Sequence, residues 1–119
     1  MDTKTNKVIV RLVCTVKGAP EDEFPLTFEV LLEKGSIAKG RAYFGFQGTL
    51  TGELRPFVLR PDGRLDYGSE YEDDNDRFIA CNILDKKIEL GAIFTTEERD
   101  PDTDRFREYI YSVKKIVRL

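Results

Sequence analysis

The feature that most constrains this chain is the strict alternation of apolar and polar side chains near its beginning. Every second side chain is apolar in residues 7–17, and the same pattern recurs in residues 24–33. Successive side chains of a β-strand point to opposite faces, so a period of two predicts a half-buried strand in each range. The short polar segment between them predicts that the two strands form a hairpin.

A second hairpin is predicted later in the chain. Two apolar runs, residues 78–84 and 88–94, flank a short charged segment that ends in Lys86 and Lys87. A turn at these two lysines would pair Cys81 with Ala92. The two runs are apolar on both faces, so we expect this hairpin inside a sheet and not at its edge.

The middle of the chain predicts further strands. Glycines interrupt residues 41–54, which we interpret as strand, bend, strand, with Phe44 and Phe46 facing the core. The segment Arg60-Pro61-Asp62-Gly63-Arg64 is typical of a tight turn, because proline fixes one central φ angle and glycine accepts a positive one. Residues 106–119 fit either a helix face or a strand face, and their enrichment in Tyr, Ile and Val favours a strand.

Together these patterns predict an all-β fold. We expect a single antiparallel domain of eight to nine strands, mostly a meander, that closes into a barrel-like sheet; a two-sheet β-sandwich is the alternative. The 119 residues are 40% apolar, which suits one domain over residues 1–119 with residues 1–6 as a flexible N-terminus. Cys14 and Cys81 both fall on apolar strand faces and are expected to be free thiols.

Composition and motifs argue against most enzyme classes. The chain has no histidine, which removes the common nucleophile pairs and the commonest zinc ligand. Neither a phosphate-binding glycine loop nor a nucleophile elbow occurs in the sequence. We therefore expect no enzymatic activity and no cofactor. No signal-peptide pattern and no membrane-spanning apolar run is present, so a cytoplasmic location without a membrane partner is expected.

Acidic residues cluster in two segments on either side of the predicted second hairpin. The hairpin ends, Arg77 and Thr96, would lie side by side and so bring both segments into one patch. The ten carboxylates are Glu70, Glu72, Asp73, Asp74, Asp76, Glu97, Glu98, Asp100, Asp102 and Asp104. Because clustered charge selects partners of opposite sign, we predict a docking surface for a basic protein, as in an adaptor or inhibitor; a merely solvated rim is the simpler interpretation.

Two other binding functions fit parts of the same sequence. Five of the aspartates could surround Ca²⁺ in loops of a β-sandwich: Asp73, Asp76, Asp100, Asp102 and Asp104. Alternatively, a barrel of eight strands could hold a small apolar ligand, with Tyr67, Tyr109 and Tyr111 as polar groups of the pocket.

Nucleic-acid binding has weaker support. Basic and aromatic residues interleave near Arg41, but Phe44 and Phe46 are assigned to the core, which leaves only Tyr43 to stack on a base. Arg55, Arg60 and Arg64 are expected to form a solvated hairpin face.

Overall fold

A computed structural model describes residues 7–17, 24–100 and 102–119 of the protein, and within them the chain forms one antiparallel sheet. The nine strands of these residues are β1 (Lys7–Val16), β2 (Leu26–Glu33), β3 (Ser36–Ile37), β4 (Tyr43–Gly48), β5 (Leu54–Leu59), β6 (Leu65–Asp66), β7 (Phe78–Cys81), β8 (Ile93–Asp100) and β9 (Arg105–Arg118). Two short helices interrupt them, α1 (Asp74–Arg77) and a 3₁₀ helix (Ile83–Asp85).

Eight of these strands close into a barrel. The order around it is β1-β9-β8-β7-β6-β5-β4-β2, and the pairing of β1 with β2 completes the ring. Apart from β3, which adds to the end of β2, each strand pairs with its neighbours in the chain, so the barrel is a meander. The predicted barrel-like fold is confirmed, and so are the first hairpin and the strand assignment of residues 106–119.

Aromatic side chains fill the middle of the barrel. The ring of Phe28 contacts the rings of Phe57 and Phe94 edge to face, with centroid distances of 5.3 and 5.9 Å. Edge-to-face contacts of this kind add to the free energy gained from burial. These three residues come from β2, β5 and β8, so the contacts connect strands that are not neighbours in the sheet. Cys14 is buried in the same core and Cys81 is partly buried; neither forms a disulfide.

The predicted orientation of β4 is wrong by one residue. Tyr43 is buried at 8% exposure, whereas Phe44, which we assigned to the core, is 78% exposed. Gly45 occupies the inward position, where the ring of Phe57 leaves no room for a side chain. A Cβ atom there would lie 2.5 Å from that ring. At this position the aromatic ring in the interior comes from Phe57 on β5, and the paired residue on β4 has to be a glycine.

The second hairpin forms with a different register from the predicted one. Strands β7 and β8 are neighbours, but Cys81 pairs with Thr96 and not with Ala92. The apolar residues between them instead form a connection, residues 82–92, in which Ile83, Leu84 and Ile88 are buried. The backbone N–H of Ile88 donates to the carbonyl of Gly35 at 2.7 Å, which ties this connection to β3.

The two ends of the barrel differ as a result. Because antiparallel strands alternate in direction, the connections 34–42, 60–64 and 82–92 all lie at one end, here called the closed end. The opposite end, here called the pocket end, carries α1 and the connection between β8 and β9. The expected flexible N-terminus and the turn at 18–23 lie outside the described residues. No helix of the described ranges has the length and apolar character needed to cross a bilayer.

Candidate functional site

A cavity of about 490 Å³ lies at the pocket end of the barrel. Its walls come from β5, β7, β8, β9 and the segment around α1. The lining residues, here called the pocket, are Arg55, Tyr67, Tyr71, Asp76, Ile79, Glu98, Arg99, Asp100, Asp102, Arg107 and Tyr109. Seven of these eleven side chains are charged and three are tyrosines, so the pocket is suited to a polar ligand more than to an apolar one.

Strand alternation explains why Arg55 and Glu98 face this cavity. Arg55 has the parity of the core residue Phe57 on β5, and Glu98 has the parity of the core residue Phe94 on β8. Side chains at i and i+2 of a strand share a face, so both residues point toward the interior near the barrel's end. Arg55 was expected on a solvated hairpin face, and the parity of β5 is the sequence signal that places it inside.

The Arg55 guanidinium is held between two aromatic rings. Its central carbon lies 4.6 Å from the centre of the Tyr67 ring and 5.4 Å from that of Tyr71. Its Nε donates to the Tyr71 hydroxyl at 3.2 Å, and one terminal nitrogen donates to Gln47 at 3.4 Å. Within the described residues Arg55 forms no ion pair with a carboxylate, so its charge is positioned by neutral groups.

Glu98 is a partly buried carboxyl group with one hydrogen-bond partner among the described residues. The Thr96 hydroxyl donates to its Oε2 at 3.1 Å. Burial raises the pKa of Glu98 because it disfavours the charged carboxylate; the Thr96 hydrogen bond and the charge of Arg55 act in the opposite direction. Its other oxygen, Oε1, accepts no hydrogen bond from the described residues.

The three predicted pocket tyrosines do not all reach the cavity. Tyr67 and Tyr109 line it, as does Tyr71, which the sequence did not single out. Tyr111 stacks on Phe94 with a centroid distance of 5.5 Å and is part of the buried core. Burial raises the pKa of Tyr67 and of Tyr111, so both hydroxyls are neutral near neutral pH.

Asp66 fixes the segment that carries the pocket tyrosines. Its carboxylate accepts hydrogen bonds from Arg77 at 2.9 and 3.2 Å, from Arg60 at 3.0 Å and from the backbone N–H of Gly68 at 2.9 Å. The Arg77 hydrogen bonds, with further help from Gly68 and Arg60, lower the pKa of Asp66 to about 2, although burial acts against this. The next residue in the chain is Tyr67, so this network holds the start of the pocket wall.

The two acidic segments meet at Arg99. Its guanidinium donates to both carboxylate oxygens of Asp76 at 2.9 and 2.8 Å and to Asp104 at 3.0 Å, and it lies 3.5 Å from Asp73. The segments are therefore brought together as predicted, although Thr96 pairs with Cys81 and is not the neighbour of Arg77. Arg99 neutralises part of the patch from within.

The ten predicted docking residues fall into different environments. Asp76, Glu98, Asp100 and Asp102 line the pocket. Glu70, Glu72, Asp74 and Glu97 are exposed and form no ion pair within the described residues. A role for these four in binding a basic protein stays a prediction.

The geometry predicted for calcium is not formed. No group of three or more acidic, cysteine or histidine side chains in ranges 7–17, 24–100 and 102–119 is arranged to hold a metal ion. The Arg99 guanidinium lies between Asp76 and Asp104, where the sequence-based hypothesis put the cation. A charged nitrogen and a metal ion cannot occupy the same space.

Fold and site together define a class: an eight-stranded meander barrel with one closed end and a charged, tyrosine-lined pocket at the other. Comparison with protein-family models, with curated proteins and with solved structures finds no match to the chain.

Proposed function

We propose that this protein binds a small polar molecule in the pocket. The observation that carries the proposal is that Arg55 and Glu98, two side chains of opposite charge, face one cavity without forming an ion pair with each other. Inward charges at the end of a barrel lower its stability unless they are satisfied, because each loses hydration. A bound ligand would add a charged partner to each of the two side chains.

The size and shape of the site support the same function. Eight-stranded barrels enclose an interior wide enough for side chains or for one small ligand. Aromatic rings fill the middle of this barrel, while the pocket end keeps about 490 Å³ open, within the usual range for small-molecule sites. The charged lining leads us to replace the apolar ligand predicted from sequence with a polar one.

A titration of ¹⁵N-labelled protein with a library of small polar fragments tests this proposal. We expect chemical-shift changes that concentrate on the backbone amides of Tyr67, Tyr71, Ile79 and Tyr109. Arg55→Gln should weaken the binding of anionic fragments about tenfold or more, since it removes a charge-assisted contact. Arg41→Gln, which changes an exposed arginine of the barrel outside the pocket, serves as the control.

Two results would contradict the proposal. One is a library in which no fragment shifts the pocket amides more than amides of the barrel surface. The other is an equal loss of binding in Arg55→Gln and Arg41→Gln, provided that both variants keep the melting temperature of the parent protein.

A further inference from the structure

We infer that the ligand of the pocket is a small zwitterion, such as a free amino acid, whose carboxylate meets Arg55 and whose ammonium group meets Glu98. This inference rests on the proposed function and specifies the ligand class. It follows from which charges of the pocket are already paired and which are not.

Arg55 has hydrogen-bond donors to spare for a carboxylate. A guanidinium carries five N–H groups, and the contacts of Arg55 use Nε and one terminal nitrogen. The second terminal nitrogen has no hydrogen-bond partner within the described residues. Stacking on Tyr67 and the hydrogen bond to Tyr71 hold the guanidinium in place before a ligand arrives, which lowers the entropy lost on binding.

Glu98 is the complementary acceptor. Its one hydrogen bond, from the Thr96 hydroxyl, reaches Oε2 and leaves Oε1 without a donor within the described residues. An ammonium group carries three hydrogen-bond donors and a full positive charge. Charge-assisted hydrogen bonds of this kind are the strongest that a carboxylate accepts. A ligand that carried only an anion would leave this second requirement unmet.

Four of the other five charged side chains of the pocket form ion pairs with one another, and the fifth, Asp102, is exposed. Arg99 is held by Asp76 and Asp104, with Asp73 close by. Arg107 lies 3.4 Å from Asp100, with which it forms an ion pair. Arg55 and Glu98 are therefore two inward-facing pocket charges of opposite sign that form no ion pair within the described residues.

The remaining lining fits the rest of an amino acid. Tyr67, Tyr71, Tyr109 and Ile79 offer aromatic and apolar surface beside the two charged groups. Such a mixture binds the side chain of an amino acid while the polar groups fix its orientation.

The test uses the full chain and the twenty proteinogenic amino acids as probes, with affinity measured by calorimetry. For the tightest binder, two analogues are then compared: one lacking the amino group and one lacking the carboxylate. We expect each analogue to bind about tenfold or more weakly, because each loses one charge-assisted contact.

Two variants test which charged group of the ligand contacts Arg55 and which contacts Glu98. Arg55→Gln should lower the affinity for the amino acid and for the carboxylate-only analogue, and leave that for the amine analogue nearly unchanged. Glu98→Gln should lower the affinity for the amino acid and for the amine analogue, and leave that for the carboxylate-only analogue nearly unchanged. Arg41→Gln and Glu89→Gln, at exposed sites outside the pocket, are the matched controls and should bind like the parent protein.

The outcomes separate the inference from the proposed function. If polar fragments bind the pocket but no amino acid binds more tightly than its two analogues, the zwitterion inference is wrong and ligand binding stands. Binding of an amino acid that both pocket variants leave unchanged also overturns the inference. If neither fragments nor amino acids bind the pocket, both proposals fail.

Discussion

At the scale of single residues, the interior of the barrel depends on complementary side-chain sizes. Gly45 lies opposite Phe57, and a methyl group at that position would meet both the Phe57 ring and the carbonyl oxygen of Thr27. Gly45→Ala should therefore destabilise the protein by about 1–3 kcal/mol, the usual cost of overpacking a core. Chemical denaturation measures this change.

Gly52→Ala is the matched control for this substitution. The nearest atom to a Cβ there is the Thr49 hydroxyl, the end of a side chain that can rotate away. We expect a change of less than about 1 kcal/mol. Equal destabilisation by both substitutions would contradict the assignment of Gly45 to the interior.

The same interior shows what strand periodicity can and cannot predict for single residues. The alternation in residues 7–17 placed Leu12 and Cys14 in the core correctly. Around Phe44 the pattern is ambiguous, because Tyr43 and Phe44 are both large and aromatic and Gly45 carries no side chain that would indicate a face. What decides the orientation is Phe57 on the neighbouring strand, a contact that the local sequence does not contain.

Asp66 gives the stability a defined dependence on pH. Its pKa in the folded protein is about 2, below the value of roughly 3.9 for an unfolded chain. The folded state therefore gains stability from the ionised carboxylate above pH 4, and this gain is lost as the pH falls toward 2. Asp66→Asn should be less stable than the parent protein by about 2 kcal/mol at pH 7, with a difference that shrinks below pH 4.

Urea denaturation of both proteins between pH 7 and pH 2 measures this dependence. Asp62→Asn is the control, since Asp62 forms an exposed pair with Arg64 and should contribute well under 1 kcal/mol. A difference between parent and Asp66→Asn that stays constant over the whole pH range would show that the ion-pair network does not stabilise the folded state.

At the scale of elements, the connection 82–92 covers the closed end of the barrel with apolar side chains. Ile83 is fully buried in the 3₁₀ helix, whereas Ile93 at the start of β8 is 48% exposed. Ile83→Ala should lower the free energy of unfolding by about 2–5 kcal/mol, because it leaves a cavity in the core. Ile93→Ala removes the same atoms from a half-exposed site and should cost less than about 1 kcal/mol. Similar values for both would contradict a structural role for the connection.

The secondary structure predicted from sequence is wrong in this connection, where strands were expected. Residues 78–94 contain two apolar runs of strand length, and nothing in their order distinguishes a strand from an apolar segment that folds over a barrel's end. The distinction comes from the contacts of Ile88 with Gly35, which are tertiary and distant in sequence. The strands themselves, such as β1 and β9, follow from local alternation and β propensity and were predicted.

For the site, the sequence predicted several of the residues but not how they are arranged around the pocket. The acidic segments and Tyr67 and Tyr109 were identified in advance, and hairpin geometry predicted that the segments meet. Arg55 was missed because an arginine near a turn is ordinarily solvated, although it shares the parity of Phe57. That Arg99 can neutralise nearby carboxylates follows from its position beside them in the sequence, but its pairing with Asp76 depends on the bend that brings α1 against β8.

At the scale of the whole molecule, Arg99 connects the two acidic segments that border the pocket. Arg99→Gln would remove its ion pairs with Asp76 and Asp104 and leave the carboxylates to repel one another. We expect faster hydrogen exchange at the backbone amides of Asp76, Arg77 and Asp104, which are hydrogen-bonded in the structure. The effect should be larger at low salt than at high salt, since ions screen the repulsion.

Arg107→Gln is the control, because Arg107 has one long ion pair, with Asp100, at an exposed site. Exchange rates at the three amides that do not differ between parent and Arg99→Gln would show that Arg99 does not hold the segments together.

The predicted docking of a basic protein also belongs to the whole molecule, since it depends on charge summed over a surface. Glu70, Glu72 and Asp74 are exposed on one side of the pocket end and form no ion pair within the described residues, so their charge is available to a partner. Neutralising all three to Gln or Asn should weaken binding to a basic partner steeply at low salt and little at high salt. A second triple variant, at the exposed closed-end positions Asp62, Asp85 and Glu89, changes the net charge equally at the opposite end of the barrel and should bind like the parent protein. If both variants lose the same affinity, the interaction responds to net charge alone, and the acidic segments are a solvated rim.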